Sequence, residues 1–160
     1  MTRRGGDLAL LLLAAFRTLA DRATVELANR GYEDFRPVHD FALHSILGGA
    51  DNASELGRAM AVTKQAAART IGILEERDWV VREVDPNDRR KLRLRVTEQG
   101  MTLLREGEAI FNELRDEWER QVGRDSIESL EHSLRSLVGE NVIRLNSPGW
   151  SAQGITEQPA

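Results

Sequence analysis

Apolar residues recur at helical spacing along most of the chain and alternate in one short stretch, a contrast that predicts six helices and one hairpin with no internal repeat. The first helix runs from about Asp7 to Asn29. Its run Leu8 to Phe16 is wholly apolar, Leu19, Ala23 and Leu27 continue it, and Gly31 serves as a C-terminal cap residue. A second helix follows Pro37, carries Phe41, Leu43, Ile46 and Leu47, and stops at Gly48-Gly49. Two short helices come next, about Ala53 to Met60 and Lys64 to Arg77, then a strand-turn-strand unit from Trp79 to Val96. A long helix from about Glu98 to Val122 places Met101, Leu104, Phe111, Leu114 and Trp118 on one side, and Gly123 ends it. Asp125 and Glu128 have the spacing of a capping box that opens a last helix with Ile127, Leu130, Leu134 and Leu137 at core positions. From Asn146 onward Pro, Gly, Ser and Gln dominate, so 146–160 is expected to be a loosely ordered tail that Trp150 could anchor.

The central pair of helices carries a second pattern. Asn52 and Thr63 stand as N-cap residues before each, and Leu56, Ala59 and Met60 give the first an apolar face. Ala67, Thr70, Ile71 and Leu74 give the second its inner face, leaving Thr63, Lys64, Gln65, Ala68 and Arg69 at its outer, N-terminal end. A recognition helix has this arrangement, because its first turns enter the major groove. In the second strand Leu92, Leu94 and Val96 alternate with Lys91, Arg93 and Arg95, which predicts one apolar and one cationic face. The intervening Asp85-Pro86-Asn87-Asp88-Arg89-Arg90 is a tight turn displaying two arginines, a tip suited to the narrow minor groove.

Charge supports this division. The formal net charge is -4, but residues 52–96 hold ten Lys or Arg against seven Asp or Glu, a local +3, and the remainder carries -7. Phosphates respond to local sign. Over 160 residues one core is expected, and 5% aromatics argue against an aromatic platform for sugar or RNA. The absence of cysteine removes disulfides, zinc ribbons and thiol chemistry, and fits a reducing, cytoplasmic setting. Arg3 and Arg4 before the Leu8 to Phe16 run imitate a secretory signal. Asp7, Arg17 and the continuing helical spacing favour instead an oily helix that needs a partner.

The stretch from about Asn52 to Gly100 resembles the MarR (multiple antibiotic resistance regulator) family. Ser54-Glu55-Leu56, Val62-Thr63-Lys64-Gln65, Leu74-Glu75-Glu76-Arg77, Asp85 to Arg90, and Val96-Thr97-Glu98-Gln99-Gly100 carry the likeness. The resemblance implies a mainly α protein with a small β-hairpin wing. A winged helix-turn-helix core at about 36–97 would be flanked by dimerisation helices at about 7–30 and 98–140, all within one domain spanning 7–140. It implies a homodimeric transcription regulator of double-stranded DNA, most often a ligand-responsive repressor at a pseudo-palindromic operator. Its DNA-reading residues would be Thr63, Lys64, Gln65, Ala68, Arg69, Asp88, Arg89 and Arg90, with Arg90 as the wing-tip arginine and Asp88 as the acid that orients it. The sequence departs from the family at Ala61 and Asp78, where glycine is frequent, in the run Ala66-Ala67-Ala68, where hydroxyls are common, and at Gly72 within a helix.

The family commonly binds small aromatic or phenolic effectors between the dimer helices and the winged lobe. Phe16, His39, Phe41 and His44 could line such a crevice; the plainer alternative is that both Phe residues are core and both histidines face solvent. His39 and His44 are five apart and do not project together, so no metal site is expected, nor any cofactor. No nucleophile elbow, P-loop or dinucleotide fingerprint appears, which argues against an enzyme. A winged-helix protein-interaction module that has lost DNA binding is the alternative reading, and the tip arginines speak against it.

Overall fold

The computed structural model describes residues 3–139, as helices α1 (Arg4–Asn29), α2 (Pro37–Leu47), α3 (Ala53–Met60) and α4 (Lys64–Glu76), strands β1 (Val80–Val84) and β2 (Leu92–Val96), and helices α5 (Glu98–Val122) and α6 (Arg124–Val138). This is a mainly α fold with one antiparallel hairpin, in the order read from the periodicity. Two helix starts differ from expectation. α1 begins at Arg4, three residues before Asp7, and α6 opens directly after Gly123 (φ 94°) with no side-chain cap. Asp125 lies within the first turn of α6, so the expected capping box does not form there. Its carboxylate instead complements the positive end of the helix. The tail 146–160, Trp150 included, and residue 140 lie outside the described residues.

The short helices are set by their caps. Asn52 Oδ1 accepts the Glu55 N–H at 3.0 Å, and Thr63 Oγ1 accepts the Ala66 N–H at 3.1 Å. Between them Ala61 takes the left-handed conformation (φ 54°), which turns α3 sharply into α4. Ala59 is exposed. Gly57 takes its place on the inner face, and a Cβ there would stand 3.1 Å from the Val62 carbonyl oxygen.

Leu43, Leu56, Met60, Ile71, Leu74, Leu103 and Ile110 are the largest fully buried side chains, so the core joins α2, α3, α4 and α5. Burying one such side chain contributes about 1.5–3 kcal/mol. The hairpin would be marginal by itself. It is held by Val80, Leu94 and Val96, which are buried, and by the Leu94 N–H, which donates to the Asp51 carbonyl at 2.8 Å.

Where the hairpin returns to the helices, the Thr97 N–H donates to the Trp79 carbonyl at 3.0 Å, and Thr97 Oγ1 caps α5 through the Gly100 N–H at 3.1 Å. Gly100 is pressed against the same carbonyl. A Cβ there would lie 2.3 Å from Trp79 O and 2.7 Å from Val96 Cγ1, so only glycine fits. The hairpin's base is therefore fixed to the start of α5.

α1 lies along α5, joined by exposed ion pairs Arg22 to Glu117 and Arg30 to Glu106 at 2.8 Å. Arg115 on α5 reaches Glu131 on α6 at 2.6 Å. On the outside of these helices Leu8, Leu10, Leu11 and Leu12 of α1, Val122 of α5, and Leu130, Leu137 and Val138 of α6 are all exposed.

Candidate nucleic-acid interface

α4 presents one face inward through Ala67, Thr70, Ile71 and Leu74. The 100° step of the helix then turns Lys64, Gln65, Ala68 and Arg69 outward, and all four are exposed together with the cap residue Thr63. The first two turns of α4 thus offer two cations, an amide and a methyl at the N-terminal end of the helix.

The hairpin places its own cations differently from the simple alternation. Its register pairs Val81 with Arg95 and Glu83 with Arg93, so both strand arginines flank one acid on the opposite strand. Glu83 accepts from Arg95 Nε at 2.7 Å and from Arg93 at 2.9 Å, and these bonds hold its carboxyl below the usual carboxylate range. Arg82 pairs with Glu75 at 2.6 Å, and Arg77 pairs with Asp34. The expected cationic strand face is therefore largely engaged within the protein. On the other face Leu94 and Val96 are buried, while Leu92 lies opposite Val84 and both are exposed near the tip.

Among the described residues of the winged lobe, Arg58, Lys64, Arg69, Arg89, Arg90 and Lys91 have no ion-pair partner. Three sit at the hairpin tip and two at the start of α4. The tip is closed by backbone bonds from Asp85 N–H to Lys91 O and from Lys91 N–H to Asp88 O, both 2.9 Å. Asp85 Oδ1 also accepts the Asn87 N–H at 2.8 Å. The Asp88 carboxylate accepts the Arg90 backbone N–H at 3.1 Å and makes no bond to its guanidinium. Its short side chain closes an Asx turn, so it orients Arg90 through the main chain.

The four residues expected at an effector crevice are divided. Phe16 and Phe41 line a crevice between α1, α2 and α5, of about 400 Å³ including its open mouth. His39 does not. Only 5% exposed, it packs with Phe35 and Trp79 at ring-centre distances of 6.0 and 5.8 Å, and its Nδ1 accepts the Arg36 N–H. Burial, followed by the charges of Arg36 and Arg77, lowers its pKa to about 4. His44 is 61% exposed, with Nε2 3.7 Å from Asp40 Oδ2.

Sequence reasoning missed Asp40, Phe35 and Phe111 in the crevice lining. The spacing of Pro37, Asp40 and Phe41 on one face of α2 was the available signal. Among the described residues no three His, Asp or Glu converge as metal ligands, and no helix is long and apolar enough to cross a membrane.

A capped helix pair, a hairpin anchored to the following helix, and flanking long helices define a winged helix-turn-helix protein. Residues 41–91 match the model of the MarR family. The fold is likewise that of wild-type MarR from E. coli in its apo form, with 22% identity, coverage of 82% of this chain and 96% of that one, and a TM-score of 0.65. A MarR family transcriptional regulator from Rhodococcus sp. RHA1 matches at 19% identity, covering 89% and 100% of the two chains with a TM-score of 0.66. A mutant of MepR from S. aureus, solved bound to an oligodeoxyribonucleotide, matches at 17% identity over 82% and 95%, with a TM-score of 0.58.

Proposed function

We propose that this chain is a cytoplasmic, sequence-specific DNA-binding transcription regulator, acting as a homodimer and most simply as a ligand-responsive repressor. The observation that carries the reading is the partition of charge on the winged lobe: among the described residues, five cations without ion-pair partners, Lys64, Arg69, Arg89, Arg90 and Lys91, lie at the tip and at the start of α4. Counterion release makes such cations the source of duplex affinity. In this reading Lys64, Gln65, Ala68 and Arg69, introduced by Thr63, face the major groove. Arg89 and Arg90, on the turn shaped by Asp88, enter the minor groove.

The exposed leucines of α1 and α6 support the dimer, since so many exposed large apolar groups are a liability in a monomer. A two-fold dimer would set two lobes about one DNA turn apart and favour a pseudo-palindromic site. An effector in the crevice between α1, α2 and α5 would shift the balance between lobe spacings, because α5 joins that crevice to the hairpin base.

Fluorescence anisotropy with random-sequence duplex across a salt series tests the reading, joined by sedimentation of the free chain. Binding lost steeply as salt rises, by a dimer, is the expected result. A salt-independent or absent interaction would leave the protein-interaction alternative, for which the exposed Val84 and Leu92 pair offers an apolar contact.

A further inference from the structure

Among the described residues, one charged group lines the crevice between α1, α2 and α5. Phe16, Leu27, Phe35, Phe41 and Phe111 supply apolar walls, and Asp40 stands among them. Its side chain is 17% exposed. The carboxylate makes no hydrogen bond among the described residues, and its sole ion-pair neighbour is His44 Nε2 at 3.7 Å, from an imidazole that is itself mostly in solvent. Gly107 of α5 lies beside the carboxylate, where a Cβ would be in van der Waals contact with Asp40 Oδ1 at 3.5 Å.

A half-buried acid without a donor is costly. The desolvation shows as a pKa raised above the usual carboxylate value, with burial as the main cause and His44 opposing it. The other polar side chain in the lining, Thr24, gives its hydroxyl proton to the Ala20 carbonyl at 2.8 Å, so it too presents only lone pairs to the crevice. The described lining side chains offer acceptors and no free donor. Aromatic walls add their negative ring faces, which attract cations.

We propose that this crevice takes small aromatic amines, whose ammonium group pairs with Asp40, in preference to aromatic acids or phenolates. The inference rests on the reading of the chain as an effector-responsive regulator and gives its effector a charge class. An anionic ligand would bring a second negative charge to a carboxylate whose one ion-pair neighbour among the described residues is His44, and would find no free N–H or O–H on the described lining side chains. An ammonium supplies the missing donors and keeps its ring among the phenylalanines.

Isothermal titration of the full chain with phenethylamine, phenylacetamide and phenylacetate compares positive, neutral and negative ligands of similar size without DNA. Phenethylamine is expected to bind at least about tenfold more tightly than phenylacetate, the scale of one charge-assisted hydrogen bond. Asp40→Asn, nearly isosteric, should remove that preference and leave phenylacetamide within about twofold. Phe111→Ala should weaken the amine and the amide alike, and thermal melts check that both variants are folded. Phenylacetate binding as well as the amine, an unchanged amine affinity in Asp40→Asn, or no binding of any of the three would overturn the proposal. A chain that binds the amine but never binds duplex refutes the DNA reading alone, and one that binds duplex but no amine refutes this inference alone.

Discussion

Removing Arg90 should cost far more salt-dependent DNA affinity than removing Arg93, although the two are three positions apart on one hairpin. Among the described residues Arg90 has no ion-pair partner, whereas Arg93 donates to Glu83 at 2.9 Å. A free guanidinium that meets a phosphate or the minor groove releases condensed counterions, with a slope of about -0.9 per charge. In a homodimer Arg90→Ala removes two such charges, so the slope of log affinity against log salt should flatten by about 1.8. Between 50 and 200 mM salt the variant should therefore lose roughly tenfold less affinity than the parent does. At low salt the loss itself should be about 1–3 kcal/mol per arginine contact. Arg93→Ala leaves Glu83 still paired with Arg95 at 2.7 Å and should change the slope by less than about half as much. Anisotropy titrations at four salt concentrations measure both slopes. Equal slope changes for the two variants would refute the assignment of DNA contact to the cations that lack partners, and a parent-like Arg90→Ala would remove the hairpin tip from the interface altogether.

Gly100→Ala should destabilise the fold by about 3 kcal/mol in urea unfolding, because the new methyl meets the Trp79 carbonyl at 2.3 Å and backbone cannot swing aside. Ala61→Gly should stabilise by about 0.5–1 kcal/mol, since φ of 54° strains an alanine more than it strains glycine; a loss of stability would mean the turn relies on the Ala61 methyl. His39 is held neutral with a pKa of about 4 against an ordinary 6.5, so the unfolded chain takes up its proton first as pH falls. Its contribution to stability is therefore complete above about pH 6.5 and declines down to about pH 4, by roughly 3 kcal/mol in all. Urea melts from pH 4.5 to 7.5 should show that decline in the parent and a shallower one in His39→Gln; parallel profiles would place the titration elsewhere.

The elements themselves were legible because their signals are local. Asn52 and Thr63 cap helices through bonds that reach three residues along the chain, and Pro37 and Gly123 mark helix ends within a turn. The inner face of α4 followed from its 3.6-residue period, and its outer face, with Lys64, Gln65 and Arg69, was thereby placed in solvent. Local signals also misled where two local choices competed. Asp125 has the spacing of a cap, but Gly123 can turn the chain two residues earlier, so the helix starts there.

The order of elements, the Asn52 and Thr63 caps and the separation of charge between the lobe and the rest follow from the residues in chain order. Which charges stay without a partner and which groups share a site depended on how the elements pack together. Strand pairing brought Glu83 between Arg93 and Arg95 and left the tip cations without a partner. Packing of α2 turned His39 in toward Trp79, left His44 in solvent, and set Asp40 among the phenylalanines beside Gly107. Such pairings join residues far apart along the chain. Periodicity states which face of an element is buried, but the neighbour that covers it is chosen by the fit of the whole core, and that fit decides whether a buried polar group finds its partner.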